Sequence, residues 1–150
     1  MTSENRPPLS AVLLAAGEGR RMHSERPKPL HRLCGRPMLM YVLDSLVETD
    51  TGRAAIVVGH KGDWVAKKMQ EHAHDIEIEY VEQREQRGTG DATMVGLVGL
   101  PDEDDEGDVL VLPGDTPLLR PDTIARLVAH HRSTGAAATL LTARLADPTG

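Results

Sequence analysis

Phenylalanine is absent from the chain, tryptophan occurs once and tyrosine twice. With a formal net charge of -6 at pH 7, that scarcity argues against a broad basic surface interleaved with aromatics, the kind that binds nucleic acid. Cysteine is equally rare. Cys34 stands alone and can close no internal disulfide, which points to a reducing cytoplasm. No apolar run approaches the roughly 20 residues that a membrane-spanning helix needs. The opening MTSENRPP also lacks the basic-then-apolar order of an export signal, so the expectation is a soluble, cytoplasmic protein with neither membrane nor nucleic-acid partner. No internal repeat is visible. Neither Gly-Lys-Ser nor Gly-Lys-Thr occurs, which removes the triphosphatase loop from consideration.

What is present is an alternation of short apolar runs and helical patterns. The runs are Ala11 to Ala16, Ala54 to Val58, Ile76 to Val81, Val109 to Leu112 and Ala136 to Leu145. Four of them lack strict polar alternation, as strands covered on both faces do. The third sets Ile76, Ile78 and Tyr80 opposite Glu77 and Glu79 and reads as an edge strand. Between the runs, Pro37 to Glu48 places Met38, Leu39, Val42, Leu43 and Leu46 on one helical face, and Asp63 to His72 begins on a capping residue. Pro121 to Arg132 carries proline at its first turn with Ile124, Leu127 and Val128 inward, and Asp91 to Leu100 is helical but interrupted by Gly96 and Gly99. At 150 residues the chain is long enough for one domain that buries about two thirds of its unfolded surface. The pattern predicts an α/β fold, a doubly wound and mostly parallel sheet.

Three stretches carry chemistry. In the first, Leu13 to His31, an apolar strand runs into Gly17-Glu18-Gly19 and then into Arg20, Arg21, Arg26 and Lys28. Met22 stands at the sixth position, where the dinucleotide fingerprint requires a third glycine. A glycine turn after a buried strand still lets backbone N–H groups approach an anion, and the cations beside it can neutralise phosphate charge. Arg20 and Arg26 are read as solvated. In the second stretch, Gly114-Asp115 follows the fourth apolar run, and a carboxylate at a strand's carboxyl end points into the crevice where such sheets bind ligands. If strands one and four are neighbours, Asp115 faces the glycine loop and suits a Mg²⁺ ion shared with substrate phosphates. In the third, Gln83 and Thr89 in EQREQRGTGDA offer amide and hydroxyl groups for the edge of a nucleobase. The acidic PDEDDEGD, Pro101 to Asp108, is read as a solvated turn, and Cys34 and the paired histidines His72/His74 and His130/His131 are given no catalytic role.

LLAAGEGRRM, PKPLHRLCGRPM, EQREQRGTGDA, LPGDTPLL and ARLADPTG occur in that order. Together they resemble the N-terminal uridyltransferase domain of the bifunctional N-acetylglucosamine-1-phosphate uridyltransferase/glucosamine-1-phosphate acetyltransferase family, over about Ala11 to Gly150. The resemblance implies a Rossmann-like nucleotidyltransferase fold, incomplete at its C-terminal end, with residues 1–150 forming the first part of that domain. It implies transfer of UMP from UTP to N-acetylglucosamine 1-phosphate, Mg²⁺-dependent, in cell-wall precursor synthesis. Leu14, Ala15, Ala16 and Gly17 would line the nucleotide, Arg21 and Lys28 would hold its phosphates as the catalytic cations, and Gln83, Gly88 and Thr89 would meet the uracil. Pro113, Gly114 and Asp115 would lie beside ribose and phosphates, with Asp115 the Mg²⁺ ligand. The parent protein implied is a homotrimer.

Two positions depart from the family pattern: Asp91 replaces the common histidine after Gly-Thr-Gly, and Pro113 replaces a tyrosine or small residue and removes a backbone donor. The family's domain continues past Asp-Pro-Thr-Gly, where this chain ends, so the expectation is a piece of a longer protein that alone binds UTP-Mg²⁺ weakly and turns over poorly. A related sugar or alcohol nucleotidyltransferase using another nucleotide, or a non-catalytic nucleotide-binding module, remains open on the residues alone. A dinucleotide-dependent oxidoreductase is disfavoured by Met22 and the basic residues around it.

Overall fold

The computed structural model describes residues 7–17, 19, 22–70, 75–101, 107–144 and 146. Four strands, β1 (Leu9–Leu14), β4 (Arg53–Val58), β5 (Glu77–Glu82) and β6 (Asp108–Pro113), form one wholly parallel sheet in the order β5-β4-β1-β6. Between β1 and β4 a two-stranded antiparallel ribbon, β2 (Arg32–Leu33) and β3 (Arg36–Pro37), turns at Cys34-Gly35 and leads into helix α1 (Met38–Val47). Helices α2 (Gly62–Gln70), α3 (Thr89–Val98) and α4 (Pro121–Thr134) are the other α-helices among the described residues. The Rossmann-like α/β fold read from the sequence is the one observed.

The apolar pattern divides between the two faces of the sheet. Ala11 and Leu13 of β1 and Ala54, Ile56 and Val58 of β4 share a core with Leu39, Leu43 and Leu46 of α1, Val65 and Met69 of α2, and Ile124 of α4. Val12 and Val57 point the other way, to Ala92 and Val95 of α3. Strands covered on both sides need no polar alternation, which is why β1 and β4 read as continuous hydrophobic runs. β5 does alternate and is an edge, with Ile78 and Tyr80 packed against the core while Glu77 and Glu79 face outward. In α1 the buried set is Leu39, Met40, Val42, Leu43 and Leu46, so Met40 takes the inward place expected of Met38.

The two glycines that interrupt the α3 pattern have a packing cause. A Cβ on Gly96 would stand 2.4 Å from Val12 Cγ1 and 2.8 Å from Val57 Cγ2, and one on Gly99 would stand 2.4 Å from Val81 Cγ2. Helix α3 therefore lies close on β1, β4 and β5 because Gly96 and the C-cap Gly99 carry no side chain where they meet the sheet.

One expectation fails. Residues 136–144 form no strand, although the run from Ala136 to Leu145 was expected to be one. They lie along β6, held to α4 by a 2.9 Å hydrogen bond between Thr139 Oγ1 and His131 Nδ1. Helix α3 covers β1 and β4 but leaves Val109 and Val111 of β6 about 40% exposed, and Leu140 and Leu141 are 85% and 56% exposed. With one face uncovered, burial there does not offset the cost of ordering another strand. The expected acidic turn falls mostly on 102–106, outside the described residues, as do His72 and His74. Asp108, at its end, is not a solvated charge: Arg132 Nε donates to its carboxylate at 2.5 Å, and His131 Nε2 lies 3.5 Å away.

Gly96→Ala is expected to destabilise the protein by about 1–3 kcal/mol, read as a lower urea midpoint with an unchanged slope, because the new methyl must displace two stiff valines. Burial pushes the Tyr80 phenol from 10.0 up to about 12. The unfolded chain thus releases this proton first as pH rises, and stability present below about pH 10 falls between about 10 and 12. Tyr80→Phe should flatten that part of the alkaline unfolding profile.

Candidate functional site at the carboxyl ends of the strands

The chain starts in the middle of the sheet, winds outward through β4 to β5, then returns to the far side of β1 as β6. Connections leaving β1 and β6 diverge there, and in open sheets of this kind a ligand crevice lies at that switch point, beyond the strands' carboxyl ends. A cleft of about 300 Å³ occupies the place. Its walls contain Leu14, Ala15, Ala16 and Gly17 at and beyond the end of β1, Lys28, then Gln83, Gly88 and Thr89 beyond β5, and Pro113, Gly114 and Asp115 at and beyond the end of β6. Every residue expected at the site is gathered there except Arg21, which lies outside the described residues.

Backbone hydrogen bonds hold the three loops in register. Ala15 N donates to Val57 O at 2.8 Å, Gly114 N to Leu14 O at 2.9 Å, and Gln83 N to Val58 O at 2.8 Å. The parallel ladder thus continues past each strand by one residue before the chain turns into the cleft. Gly114 is closely packed there: a Cβ on it would stand only 3.2 Å from Ala15 Cβ and 3.3 Å from Leu14 O.

Lys28 opens a 3-10 turn, Lys28–Leu30, whose Pro29 and Leu30 are buried. The lysine is anchored by these apolar neighbours while its own side chain stays about one third exposed, and its Nζ is ion-paired with the Asp115 carboxylate. The two groups therefore confront each other across the switch point, one from the loop after β1 and one from the loop after β6. Arg26 is exposed and lines an adjoining cavity of about 260 Å³ with Gly59, His60 and Lys61. Lys61 Nζ donates to Glu25 O at 2.5 Å, tying down the turn that precedes Lys28.

The loop after β5 is organised around Gln83, which is only 4% exposed. Its Nε2 donates to Asp91 Oδ2 at 2.7 Å and to Gly88 O at 3.4 Å. Gln86 reaches back to the first loop, its Nε2 donating to Ala16 O at 2.7 Å. Gln86, Lys61 and Asp91 are contributions that the motifs in the sequence did not assign. Only Asp91 left a signal, as a departure from the family pattern; the partners of Gln86 and Lys61 lie 70 and 36 residues away along the chain, and no local motif marks them.

A larger cleft of about 660 Å³ runs along β6. Leu110, Leu112, Leu127, Val128 and Leu140 line it with Asp108 and His131. Asp108 is paired with Arg132 and lies near His131, and most of the remaining lining is apolar.

The fold and the position of the cleft define a Rossmann-like α/β protein of the nucleotide-binding kind. Residues 11–147 match the model of the MobA-like NTP transferase domain, and the chain belongs to that nucleotidyltransferase family. Curated relatives named bifunctional protein GlmU are 48% identical over 143 residues in Rubrobacter xylanophilus and 46% identical over 142 residues in Synechococcus elongatus. Each alignment covers 95% of this chain but only 29% and 30% of the relative; the chain spans about 30% of the length of the relatives it matches. The expected resemblance is borne out in these relatives. Among solved structures, Rv0371c of Mycobacterium tuberculosis superposes with a TM-score of 0.67 at 22% identity, covering 89% of this chain and 63% of that one. A 4-diphosphocytidyl-2C-methyl-D-erythritol synthase from Anaerococcus prevotii gives 0.65 at 22% identity, covering 83% and 51%. At such identities the likeness is one of fold.

Gly88, at the N-terminus of α3, has φ +99° and ψ −179°, a region essentially reserved for glycine. Gly88→Ala is expected to cost about 1–3 kcal/mol of stability, measured by thermal or urea unfolding, and to loosen the loop that carries Gln83.

Proposed function

We propose that the cleft binds UTP and N-acetylglucosamine 1-phosphate and transfers UMP, giving UDP-N-acetylglucosamine and pyrophosphate for cell-wall precursor synthesis. The observation that carries this reading is the convergence of the glycine loop, the Lys28–Asp115 pair and the Gln83–Thr89 loop on one cleft. The motif resemblance supplies the substrate class, the GlmU relatives support a nucleotidyltransferase, and the chain's share of their length makes the whole protein's activity part of the proposal. The sugar phosphate oxygen attacks the α-phosphorus of UTP. The bond from that phosphorus to the oxygen bridging to the β-phosphate breaks, and its electron pair leaves on pyrophosphate.

Such a transfer needs alignment and charge cancellation more than covalent help from the protein. Lys28 meets the phosphates and neutralises charge that grows on the leaving pyrophosphate; Arg21 is assigned the same task. Ala15, Ala16 and Gly17 bring backbone close to the phosphates, and Gln83, Gly88 and Thr89 face the base. Among the described residues no three or more His, Cys, Asp or Glu side chains cluster so as to hold a metal by themselves. Asp115 is a lone carboxylate in the cleft wall, and that donor set fits Mg²⁺, which takes one or two carboxylates plus substrate phosphate oxygens. When bound, the ion would neutralise phosphate charge and polarise the α-phosphorus. The 150 residues alone are proposed to turn over slowly.

Lys28→Ala and Asp115→Asn are each expected to weaken Mg²⁺-UTP binding to this chain and, in a protein with turnover, to slow pyrophosphate release on the order of 10²–10³-fold. Asp115→Asn should also shift the Mg²⁺ dependence. Thermal stabilisation by UTP, CTP, GTP and dTTP with Mg²⁺ tests the base: UTP should raise the melting temperature most. Larger stabilisation by another nucleotide would move the assignment to a related nucleotidyltransferase, and binding without any pyrophosphate release in a full-length protein would make it a non-catalytic module.

A further inference from the structure

We infer that Asp91 fixes which end of the Gln83 amide faces the cleft, and thereby selects a nucleobase that presents an N–H at that point, uracil over cytosine. The inference rests on the reading of the cleft as a uridine nucleotide site.

An amide side chain has one donor end and one acceptor end of nearly equal shape, so packing alone does not choose between them. Here the choice is chemical. Asp91 Oδ2 lies 2.7 Å from Gln83 Nε2 and Gly88 O lies 3.4 Å from it. An ionised carboxylate and a backbone carbonyl only accept hydrogen bonds. Both N–H groups of the amide are therefore committed to protein acceptors, and the reversed amide would set its oxygen against two other acceptors in a site where Gln83 is 4% exposed. The side chain's root is equally fixed, by Gln83 N to Val58 O at 2.8 Å, and Asp91 is held in the first turn of α3.

The group left over is Gln83 Oε1. Among the described residues no donor reaches it, yet none of the buried side-chain nitrogen or oxygen atoms there lacks a partner. Oε1 therefore keeps some exposure, and Gln83 lines the cleft. A pure acceptor at that point pairs with the N3–H of uracil and opposes the N3 lone pair of cytosine. Asp91 touches no ligand in this scheme; it is a positioning residue acting through Gln83. The competing account makes Asp91 only a favourable charge at the N-terminus of α3, a role that would not distinguish one base from another.

Calorimetric titration of the protein with Mg²⁺-UTP and Mg²⁺-CTP separates the two. Wild type should prefer UTP by at least about tenfold, or about 1.4 kcal/mol. Asp91→Asn can offer either a donor or an acceptor to Gln83 and should reduce the preference to a few-fold, chiefly by improving CTP binding. Asp91→Ser repeats the measurement if the asparagine variant does not fold. On wild type, 3-methyluridine triphosphate, which lacks the N3 proton, should bind at least about tenfold more weakly than UTP. An unchanged UTP-to-CTP ratio in both variants, equal wild-type affinity for the two nucleotides, or full affinity for the methylated analogue would each overturn the inference. If wild type bound neither nucleotide, or bound UTP with no dependence on Lys28, the uridine site itself would fall. An unchanged ratio alongside Lys28-dependent UTP binding would remove only the role of Asp91.

Discussion

The pairing of β1 with a parallel neighbour on each side is the constraint on which the rest depends. Leu14 is in register with Val57 of β4 and Pro113 of β6, so the three chains reach the same end of the sheet within a residue of one another. Ala15 and Gly114 then extend the hydrogen bonding just beyond the strands. A shift in either register would carry Asp115 or the glycine loop out of opposition. The hydrophobic burial of Ala11, Val12 and Leu13, each fully enclosed, thus indirectly sets how a lysine and an aspartate from two different loops are opposed. In parallel sheets both faces are spoken for, and the chemistry is left to the strand ends.

Helix α3 shows how packing and chemistry are joined in one element. Its inward face is trimmed to glycine where it crosses Val12 and Val57, which brings its N-terminal turn down over the end of β5. That turn begins at Gly88 and carries Thr89 and Asp91. The residues that seat the helix and those that shape the base-facing side of the cleft therefore belong to one short stretch of chain. Rigidity at one end serves placement at the other.

Much of this was legible in the sequence, for identifiable reasons. Strands sandwiched between helices leave uninterrupted apolar runs, an edge strand leaves an alternating one, and proline marks the starts of α1 and α4, whereas Asp63, read as a cap, lies inside the first turn of α2. Glycine loops and the carboxylate after β6 could be placed because strand ends in such folds are where ligands bind. What failed was the run from Ala136, since composition reports a capacity for burial but not whether a face is available to provide it. What stayed hidden were the hydrogen bonds made by Gln86, Lys61 and Asp91, which depend on residues brought together by the fold. The weakened helical pattern at Gly96 and Gly99 was informative in a way the pattern alone does not reveal: both record contact with the sheet, Gly96 inside the helix and Gly99 at its C-cap.

The ion pair between Lys28 and Asp115 has a consequence for what the cleft admits. A site whose lysine is already matched by a carboxylate is electrically quiet, and it exerts little pull on anions in general. A bare polyphosphate that captured Lys28 would leave Asp115 stranded beside like charge. A phosphate chain that arrives with its own cation exchanges both partners at once, the lysine turning to an oxygen anion and the carboxylate to the cation. On the proposed reading, the pair acts as a lock against uncomplexed nucleotide and the abundant small anions of the cell, and opens for a neutralised one.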